Sequence, residues 1–287
     1  MILLTGASGN LGRFVLEEVS ASAGDCRALY RSEEDARKAS PGATAVIGDF
    51  ANKASLLRAL KEIDAVYLVC SPVPSLLELE SNVIDACVES GVQRLVLNSA
   101  LGAADYPKSF PAWHRQVEDR LKASGLEYTI LRPNGFMQNI LAYLAPSIRQ
   151  QSAFYAAMGN APTSFIDARD IAAVVAKVLQ HPAEHSGETY ELNGPEAISY
   201  AELADKITAV AGRPVRYVDI PEAAQREAML GLGMPEWQVG ALLDLQQYYT
   251  GGQGGEVTDV LPRLLGRSPK TVDEFLQEFA ESFRANA

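Results

Sequence analysis

Six short apolar runs alternate with stretches of helical hydrophobic spacing through the first half of the chain. The runs cover residues 2–4, 27–30, 43–47, 65–69, 94–98 and 128–131. The run at 65–69 is continuous in apolar character, which is typical of a strand buried on both faces of a sheet. Two of the helical stretches, 76–90 and 113–124, are closed by Gly91 and Gly125. This alternation predicts an α/β fold with a doubly wound parallel sheet.

The pattern changes after residue 133, where helical spacing dominates. Short runs at 163–166, 189–192 and 215–218 predict further strands, and helices are predicted at 136–151, 171–179, 222–230 and 236–249. Residues 1–133 are therefore expected to form one domain. Residues 134–287 are expected to complete the sheet and to add a smaller, mostly helical C-terminal lobe, which forms a substrate cleft.

Local sequence motifs predict where helices begin in residues 134–287. Ser199 with Glu202, and Thr271 with Glu274, have the spacing of capping boxes at helix starts. Asp170 is predicted to cap the helix at 171–179, and Asp167 to anchor the turn before it. The glycine-rich segment 251–255 is interpreted as a flexible break, either a lid hinge or a disordered connector.

Composition and charge narrow the class of protein. The chain has 287 residues, of which 47% are hydrophobic and 21% charged, so a sizeable core can form. The net charge of −11 argues against nucleic-acid partners and against an anionic membrane surface. The three cysteines are expected to be free thiols, and the three histidines lack metal-ligand spacing, so no metal is expected. With no run of about 20 apolar residues and a strand starting at residue 2, we expect a cytoplasmic protein, monomeric or homodimeric.

The strongest motif lies in the first dozen residues. Gly6, Gly9 and Gly12 follow the first apolar run and precede a helical pattern, so they stand in a strand–turn–helix context. In such a turn one glycine permits the sharp bend, one lets the backbone approach a pyrophosphate, and one lets helix and strand pack closely. Residues 1–133 are therefore expected to be a Rossmann domain that binds NAD(P). The turn residues expected to contact the cofactor are Gly6, Ser8, Gly9, Asn10, Leu11 and Gly12.

The end of the second strand indicates which cofactor binds. Proteins that prefer NAD place a carboxylate there to hold the ribose hydroxyls. Here the strand ends at Tyr30, followed by Arg31 and Ser32, whose guanidinium and hydroxyl suit a 2′-phosphate. We interpret this as a preference for NADPH, with NADH also possible; the alternative is a solvated surface arginine.

Other residues at strand ends are expected to line the same site. Asp49 and Phe50 are expected to meet the adenine, although Asp49 is equally well explained as a turn aspartate. Cys70, Ser71 and Pro72 should pass beneath the riboses, and Asn98 and Ser99 should lie near the nicotinamide. Pro133 and Phe136 should meet the carboxamide. The substrate pocket is predicted to contain Met137, Met158, Trp237 and Tyr248, each of which is also well explained as ordinary core.

These motifs together resemble a known family. The segments 5–12, 48–50, 128–133 and 165–170 are similar to the NmrA-like group of atypical short-chain dehydrogenases/reductases. The resemblance implies a Rossmann sheet with a C-terminal lobe. It also implies either a reductase or a sensor function, since the group includes NADPH-dependent quinone and dye reductases as well as non-catalytic redox sensors. His114 and Glu118 stand at a spacing that is similar to that of the quinone and dye reductases, and the segment 264–275 is similar to the tail of fungal iminium reductases.

One departure from the wider superfamily affects the chemistry. No Tyr-x-x-x-Lys pair follows the fifth strand, and Tyr106 and Lys108 have the wrong spacing. His114 and Glu118 occupy that stretch on one helical face, as candidate catalytic residues or as a structural pair. The sequence therefore predicts an NAD(P)H-dependent reductase that transfers hydride to a small conjugated or cationic acceptor such as a quinone, dye or imine. The alternative is a redox-sensing NADP(H)-binding regulator.

Overall fold

The structure, a computed structural model, describes residues 1–22, 25–37 and 42–284. Contacts within the chain define two compact units. Unit 1 is drawn from Met1–Asp105, Phe110–Pro133 and Ala168–Leu192, and unit 2 from Tyr106–Ser109, Asn134–Asp167 and Asn193–Ala287. The chain therefore crosses from unit 1 to unit 2 at the expected boundary, 133/134, but it returns to unit 1 for Ala168–Leu192.

The elements are as follows in chain order. The strands are β1 (Ile2–Leu4), β2 (Cys26–Tyr30), β3 (Thr44–Ile47), β4 (Ala65–Leu68), β5 (Arg94–Asn98), β6 (Glu127–Pro133), β7 (Ala153–Ala156), β8 (Thr189–Leu192) and β9 (Arg216–Asp219). The first eight helices are α1 (Gly12–Ser22), α2 (Glu33–Arg37), α3 (Lys53–Ala59), α4 (Leu76–Glu89), α5 (Ser109–Lys122), α6 (Ala145–Gln151), α7 (Ala168–Gln180) and α8 (Pro182–His185). The remaining helices are α9 (Tyr200–Ala211), α10 (Glu222–Gly231), α11 (Glu236–Thr250), α12 (Val260–Leu265) and α13 (Val272–Glu278).

Unit 1 is a parallel sheet of seven strands in the order β3-β2-β1-β4-β5-β6-β8. The prediction of a doubly wound Rossmann sheet is confirmed. All four residues of β4 are buried, which explains its continuous apolar run, whereas β3 forms an edge and is largely exposed. The helices α1 and α7 pack against each other, and α7 buries most of its residues.

Unit 2 contains a second, two-stranded parallel sheet made of β7 and β9. Its core is rich in aromatic and aliphatic side chains, among them Met137, Phe154, Leu203, Phe275 and Phe283. Both predicted capping boxes are confirmed: Ser199 and Glu202 at the start of α9, and Thr271 and Glu274 at the start of α13.

The structure differs from the sequence predictions at one predicted strand, at strand β7 and at the start of helix α7. Residues 163–166 do not form a strand; Thr163 and Ile166 each make one isolated bridge. The strand of this region is β7, which pairs with the distant β9 and ends in alanines that give no clear apolar run. Helix α7 begins at Ala168, so Asp170 lies inside its first turn and does not precede it as a cap.

The glycine run is ordered and packed, contrary to the expectation of a flexible break. Gly254 is buried, and its carbonyl oxygen accepts hydrogen bonds from the Ser164 amide at 2.9 Å and from Asn134 Nδ2 at 3.0 Å. A Cβ at Gly254 would stand 2.0 Å from the Tyr249 ring. The glycines therefore permit close packing within unit 2.

Candidate functional site

The glycine turn at the carboxyl end of β1 has a tightly folded backbone. Gly6 has a φ of +63°, and the Gly9 amide donates to the Gly6 carbonyl at 2.8 Å. A Cβ at Gly12 would stand 1.9 Å from that same carbonyl oxygen, so only glycine fits there. Ser8, Gly9 and Asn10 are exposed at the tip of the turn, and α1 begins at Gly12. The exposed tip of the turn thus lies directly before the start of a helix, which is the arrangement that suits a pyrophosphate.

Thr5 ties this turn to the end of β4. Its hydroxyl donates to the Val69 carbonyl at 3.1 Å and accepts from the Val69 amide at 2.9 Å. A Cβ at Gly6 would stand 2.6 Å from the Val69 side chain, so the turn and the β4 end are packed in direct contact. This role of Thr5 is not among the sequence predictions; a threonine directly before the first glycine is the signal that could have indicated it.

Arg31 and Ser32 follow β2 at the same edge of the sheet. The Arg31 side chain is exposed, whereas Ser32 already bonds to Asp35: its hydroxyl donates to Asp35 Oδ2 at 2.7 Å and accepts from the Asp35 amide at 3.1 Å. Ser32 therefore begins α2. Arg31 is close enough to the end of β4 that its positive charge acts on the Cys70 thiol. An exposed guanidinium beside a glycine turn fits a phosphorylated ribose.

Asp49 and Phe50 lie at the end of β3, as predicted. Asp49 Oδ1 accepts from the Ala51 amide at 2.9 Å, so this carboxylate does shape a turn. Phe50 is partly buried and packs against the core of unit 1, and its carbonyl accepts from Asn82 Nδ2 at 3.0 Å. The structure thus supports the turn role of Asp49 directly, and contact with adenine remains a prediction for both residues.

The segment after β4 covers a buried acid that the sequence analysis missed. Cys70 is partly buried, and burial raises the pKa of its thiol to about 12, while Ser71 and Pro72 are exposed. Glu80 of α4 is 0% exposed, and neither carboxyl oxygen has a hydrogen-bond partner of good geometry. Burial raises the pKa of Glu80 well above its usual value, and the nearby Cys70 amide offsets only part of that effect. Glu80 is therefore a neutral acid in the core.

A second buried carboxyl group, that of Glu118, is ionised, and hydrogen bonds from neighbouring side chains stabilise its negative charge. Arg132 donates to it twice, from Nε to Oε1 at 2.9 Å and from Nη2 to Oε2 at 2.6 Å, and the Ser99 hydroxyl donates to Oε1 at 2.6 Å. Burial alone would raise the pKa of Glu118, but these hydrogen bonds and the charges of Arg132 and Lys122 hold it below its usual value. Asn98, the last residue of β5, accepts from the Tyr67 hydroxyl at 3.4 Å. The carboxyl ends of β5 and β6 are thus joined through one α5 side chain.

His114 lies one helical turn before Glu118 but is not hydrogen-bonded to it among the described contacts. Its Nδ1 is buried without a partner, and the residue is only 5% exposed. Burial lowers the pKa of His114 to about 4, although Glu118 acts to raise it. The imidazole is therefore uncharged at neutral pH. Glu118 is directed to Arg132 and Ser99, and its charge acts on His114 without a hydrogen bond among the described contacts, so both the catalytic and the structural interpretation of His114 stay predictions.

Tyr106 and Lys108 belong to unit 2 and have partners there. The Tyr106 hydroxyl donates to the Asp244 carbonyl at 2.7 Å, and Lys108 Nζ donates to Gln247 Oε1 at 2.9 Å. The Ser109 hydroxyl also donates to the Asp244 carboxylate. The polar groups of this segment are therefore engaged with α11.

The four candidate substrate-pocket residues all fall in unit 2, together with Phe136. Met137 is fully buried in the core of unit 2, and Met158 is buried; Tyr248 packs edge-on to Tyr106 at 5.2 Å between ring centroids. Trp237, at the start of α11, is 40% exposed. Phe136 makes a bridge to Ile166, and the Pro133 carbonyl, in unit 1, accepts from the Leu101 amide at 3.1 Å. Contacts of these residues with cofactor or substrate remain predictions.

No group of three or more His, Cys, Asp or Glu side chains in the described ranges is arranged to hold a metal ion. In the same part of the chain, every helix is too short or too polar to cross a membrane.

Comparisons with known proteins agree with this geometry. A family model described as the NmrA-like family matches residues 1–276. The chain is 35% identical over 287 residues to an NAD(P)H azoreductase from Xenophilus azovorans, covering 99% of this chain and 100% of that protein. It is 34% identical over 285 residues to a (4-alkanoyl-5-oxo-2,5-dihydrofuran-3-yl)methyl phosphate reductase from Streptomyces griseus, covering 99% of each.

A solved structure extends the similarity to three dimensions. An NADPH-dependent quinone oxidoreductase from Escherichia coli, determined in complex with NADPH, has a TM-score of 0.89 to this structure at 30% sequence identity. The match covers 97% of this chain and 99% of that chain. With a family model that spans almost the whole sequence and relatives of this identity along their full length, the chain belongs to the NmrA-like family.

Proposed function

We propose that this protein is an NADPH-dependent reductase that reduces small conjugated acceptors, with quinones and azo compounds as the first candidates. The observation that carries the proposal is the pairing of an intact dinucleotide turn with an uncharged His114 in the stretch where ordinary short-chain enzymes have their tyrosine and lysine. Three relatives support it, since they are named as an NAD(P)H azoreductase, a dihydrofuranone phosphate reductase and an NADPH-dependent quinone oxidoreductase.

The residues present fit a bound NADPH. The backbone of the Gly6–Gly12 turn and the start of α1 would hold the pyrophosphate, and Arg31 would hold the 2′-phosphate. NADPH supplies a hydride when bound. The segments after β4 and β5, with Cys70, Asn98 and Ser99, complete the carboxyl edge of the sheet on which the rest of the dinucleotide would lie.

The side chains near Ser99 favour acceptors that need little acid catalysis. Glu118 is an anion held by Arg132 and Ser99, so it has no proton to give. His114 is neutral, so it can donate or accept a hydrogen bond but cannot act as an imidazolium acid at neutral pH. A simple ketone would develop a localised oxyanion without a strong donor nearby. A quinone or azo compound delocalises the charge instead, so the missing acid costs less.

The direct test is NADPH oxidation, followed at the nicotinamide absorbance, with purified protein and a panel of acceptors. The panel contains a quinone, an azo dye, a dihydrofuranone, a cyclic imine and an unactivated ketone. We expect turnover with the conjugated acceptors and none with the ketone. Tight NADPH binding without turnover on any acceptor would contradict the proposal and favour a redox-sensing protein.

The cofactor assignment has its own test in Arg31→Ala. Loss of a charge-assisted contact to the 2′-phosphate should lower kcat/KM for NADPH by roughly 10- to 100-fold and leave the value for NADH nearly unchanged. Arg37→Ala is the matched control, because Arg37 is an exposed arginine six residues away that pairs with Glu33. An unchanged NADPH preference in Arg31→Ala would remove this arginine from the cofactor site.

A further inference from the structure

The seven-stranded sheet of unit 1 ends, on the β3 side, in a strand that is open to the solvent. Thr44, Ala45 and Ile47 of β3 are exposed, and 42% of the Ile47 surface is accessible. Val46 packs against the core of unit 1 and so holds the strand in place. An exposed apolar strand at the edge of a sheet is a template on which another strand can pair.

The backbone of this edge has unused hydrogen-bonding groups. The Gly48 amide donates to the Tyr30 carbonyl of β2 at 3.0 Å, and the backbone groups of successive residues alternate in direction along a strand. The amide and carbonyl groups of Ala45 and Ile47 therefore point away from β2. Within residues 1–22, 25–37 and 42–284, these outward groups have no hydrogen-bond partner. Strand β3 thus presents unpaired donors and acceptors along its free side.

The opposite edge of the sheet is protected in a way that β3 is not. Strand β8 carries Glu191, whose carboxylate pairs with Arg132 of the neighbouring strand at 3.3 Å. A charged side chain on an edge strand opposes the approach of another strand. Residues 43–48, by contrast, contain no charged side chain and no proline. The free side of β3 therefore lacks two of the features that commonly prevent strands from pairing at an edge.

The sequence of this edge is complementary to itself about a two-fold axis. When two copies of β3 run antiparallel with Val46 opposite Val46, Ala45 of each copy lies opposite Ile47 of the other. Both of these residues have outward backbone groups, so the two copies would share about four hydrogen bonds. A small side chain then faces a large one, and no like charges stand opposite each other. A contact of this kind is closed at the dimer, because each copy uses the same edge.

The charge of the chain also favours this place for self-association. The net charge is −11, so two copies repel each other overall, and an uncharged edge is a place where they can meet without adding to that repulsion. We propose that β3 is a dimerisation edge, at which a second copy of this chain extends the sheet by antiparallel pairing of β3 with β3. The proposal goes beyond the proposed reductase function, since residues 44–47 have no part in it.

Sedimentation velocity of the full chain without NADPH measures this association separately from the reductase assay. A four-residue edge makes a small interface, so we expect a weak dimer with a Kd on the order of 10–100 µM. Salt screens the repulsion between two acidic copies. The dimer should therefore become no weaker when the salt concentration is raised from about 0.05 to about 0.5 M.

Hydrogen exchange of the wild-type protein locates the contact without any substitution. The outward amides of Ala45 and Ile47 are exposed in one copy and hydrogen-bonded in the dimer. With a Kd in the expected range, their exchange should slow by roughly 2- to 7-fold between protein concentrations of about 2 and about 200 µM. The amide of Gly48, which already bonds to Tyr30, serves as the internal control and should change less.

Two variants test the edge directly. Ile47→Lys places a charge at an exposed position of β3 and should raise the Kd of the dimer at least 10-fold. Ala45→Pro removes one outward donor and leaves the hydrogen bonds to β2 intact, so it should also weaken the dimer. Leu232→Lys is the matched control, because Leu232 is 86% exposed in unit 2 and the change in charge is the same. Its Kd should stay within about two-fold of the wild-type value.

Three results would overturn the proposal. The first is a wild-type protein that stays monomeric up to about 200 µM, with exchange at Ala45 and Ile47 that does not depend on concentration. The second is a dimer that a folded Ile47→Lys variant, checked by circular dichroism, leaves as tight as in the wild type. The third is a dimer that dissociates as the salt concentration rises, because ion pairs would then hold it together.

Discussion

The buried carboxyl of Glu80 predicts a particular dependence of stability on pH. Its pKa in the folded state is raised above the ordinary value of 4.5, because the side chain is 0% exposed and lacks hydrogen-bond partners of good geometry. A group of this kind contributes its full stability below the unfolded-state pKa, and that contribution is lost as the pH rises toward the folded-state pKa. Within this window the free energy of unfolding should fall by about 1.4 kcal/mol per pH unit.

Glu80→Gln isolates this effect, because it keeps the shape of the side chain and removes the titrating proton. The free energy of unfolding is measured by urea titration at pH 5, 6, 7 and 8. Trp237→Phe is introduced in every protein compared, so that Trp113, the other of the two tryptophans, reports on unit 1. The wild-type value minus the Glu80→Gln value should decrease as the pH rises. His114 is present in both proteins, so its own titration cancels from the difference.

Glu78→Gln provides the control, since Glu78 is an exposed glutamate on the same helix. Its stability curve should run parallel to that of the wild type. Parallel curves for wild type and Glu80→Gln would refute the reasoning, because they would show that the buried carboxyl does not hold its proton. A Glu80 that ionises in the folded state would need a compensating positive charge near α4.

Two further predictions concern α5 and the glycine turn. Burial lowers the pKa of His114 from 6.5 to about 4, so the stability contributed by the neutral imidazole is complete above pH 6.5 and is lost as the pH falls to 4, about 3 kcal/mol in total. The His114→Ala variant should lose this acid sensitivity in urea titrations. The kcat of the variant should fall by no more than a few-fold if the reaction requires no acid. Gly12→Ala should destabilise unit 1 by about 3 kcal/mol, because the added Cβ would clash with the Gly6 carbonyl oxygen. In Gly9→Ala the added Cβ would lie 3.2 Å from the same oxygen, so this variant should keep the fold and chiefly bind NADPH more weakly. Equal thermal unfolding temperatures for the two variants would contradict this prediction.

The sequence could predict those parts of the structure that depend on a few neighbouring residues. The central strands of unit 1, such as β1, β4 and β5, follow from buried apolar runs, and the glycine turn follows from one steric requirement at Gly12. The capping boxes of α9 and α13 follow from two residues three apart. In each case the information lies within a few neighbouring residues.

What the sequence could not predict depends on distant partners. Strand β7 exists because β9, some 60 residues later, pairs with it. The ionisation of Glu118 depends on Arg132, whose position becomes known only when β6 is placed beside β5. Glu80 looks like one more helix-surface acid in sequence, and its burial is a tertiary property. Composition alone predicts a flexible glycine run, because it does not reveal that the Tyr249 ring occupies the space that a side chain at Gly254 would need.

The return of the chain to unit 1 has a consequence for how the protein is made. Helix α7 and strand β8 come from Ala168–Leu192, so unit 1 lacks an edge strand and the helix that covers α1 until these residues leave the ribosome. At about 5–20 residues per second, the delay after residue 133 is roughly 3–12 s. During that interval β6 has an unpaired edge and α1 an uncovered apolar face. The nascent chain therefore passes through a stage at which a chaperone has a defined surface to protect.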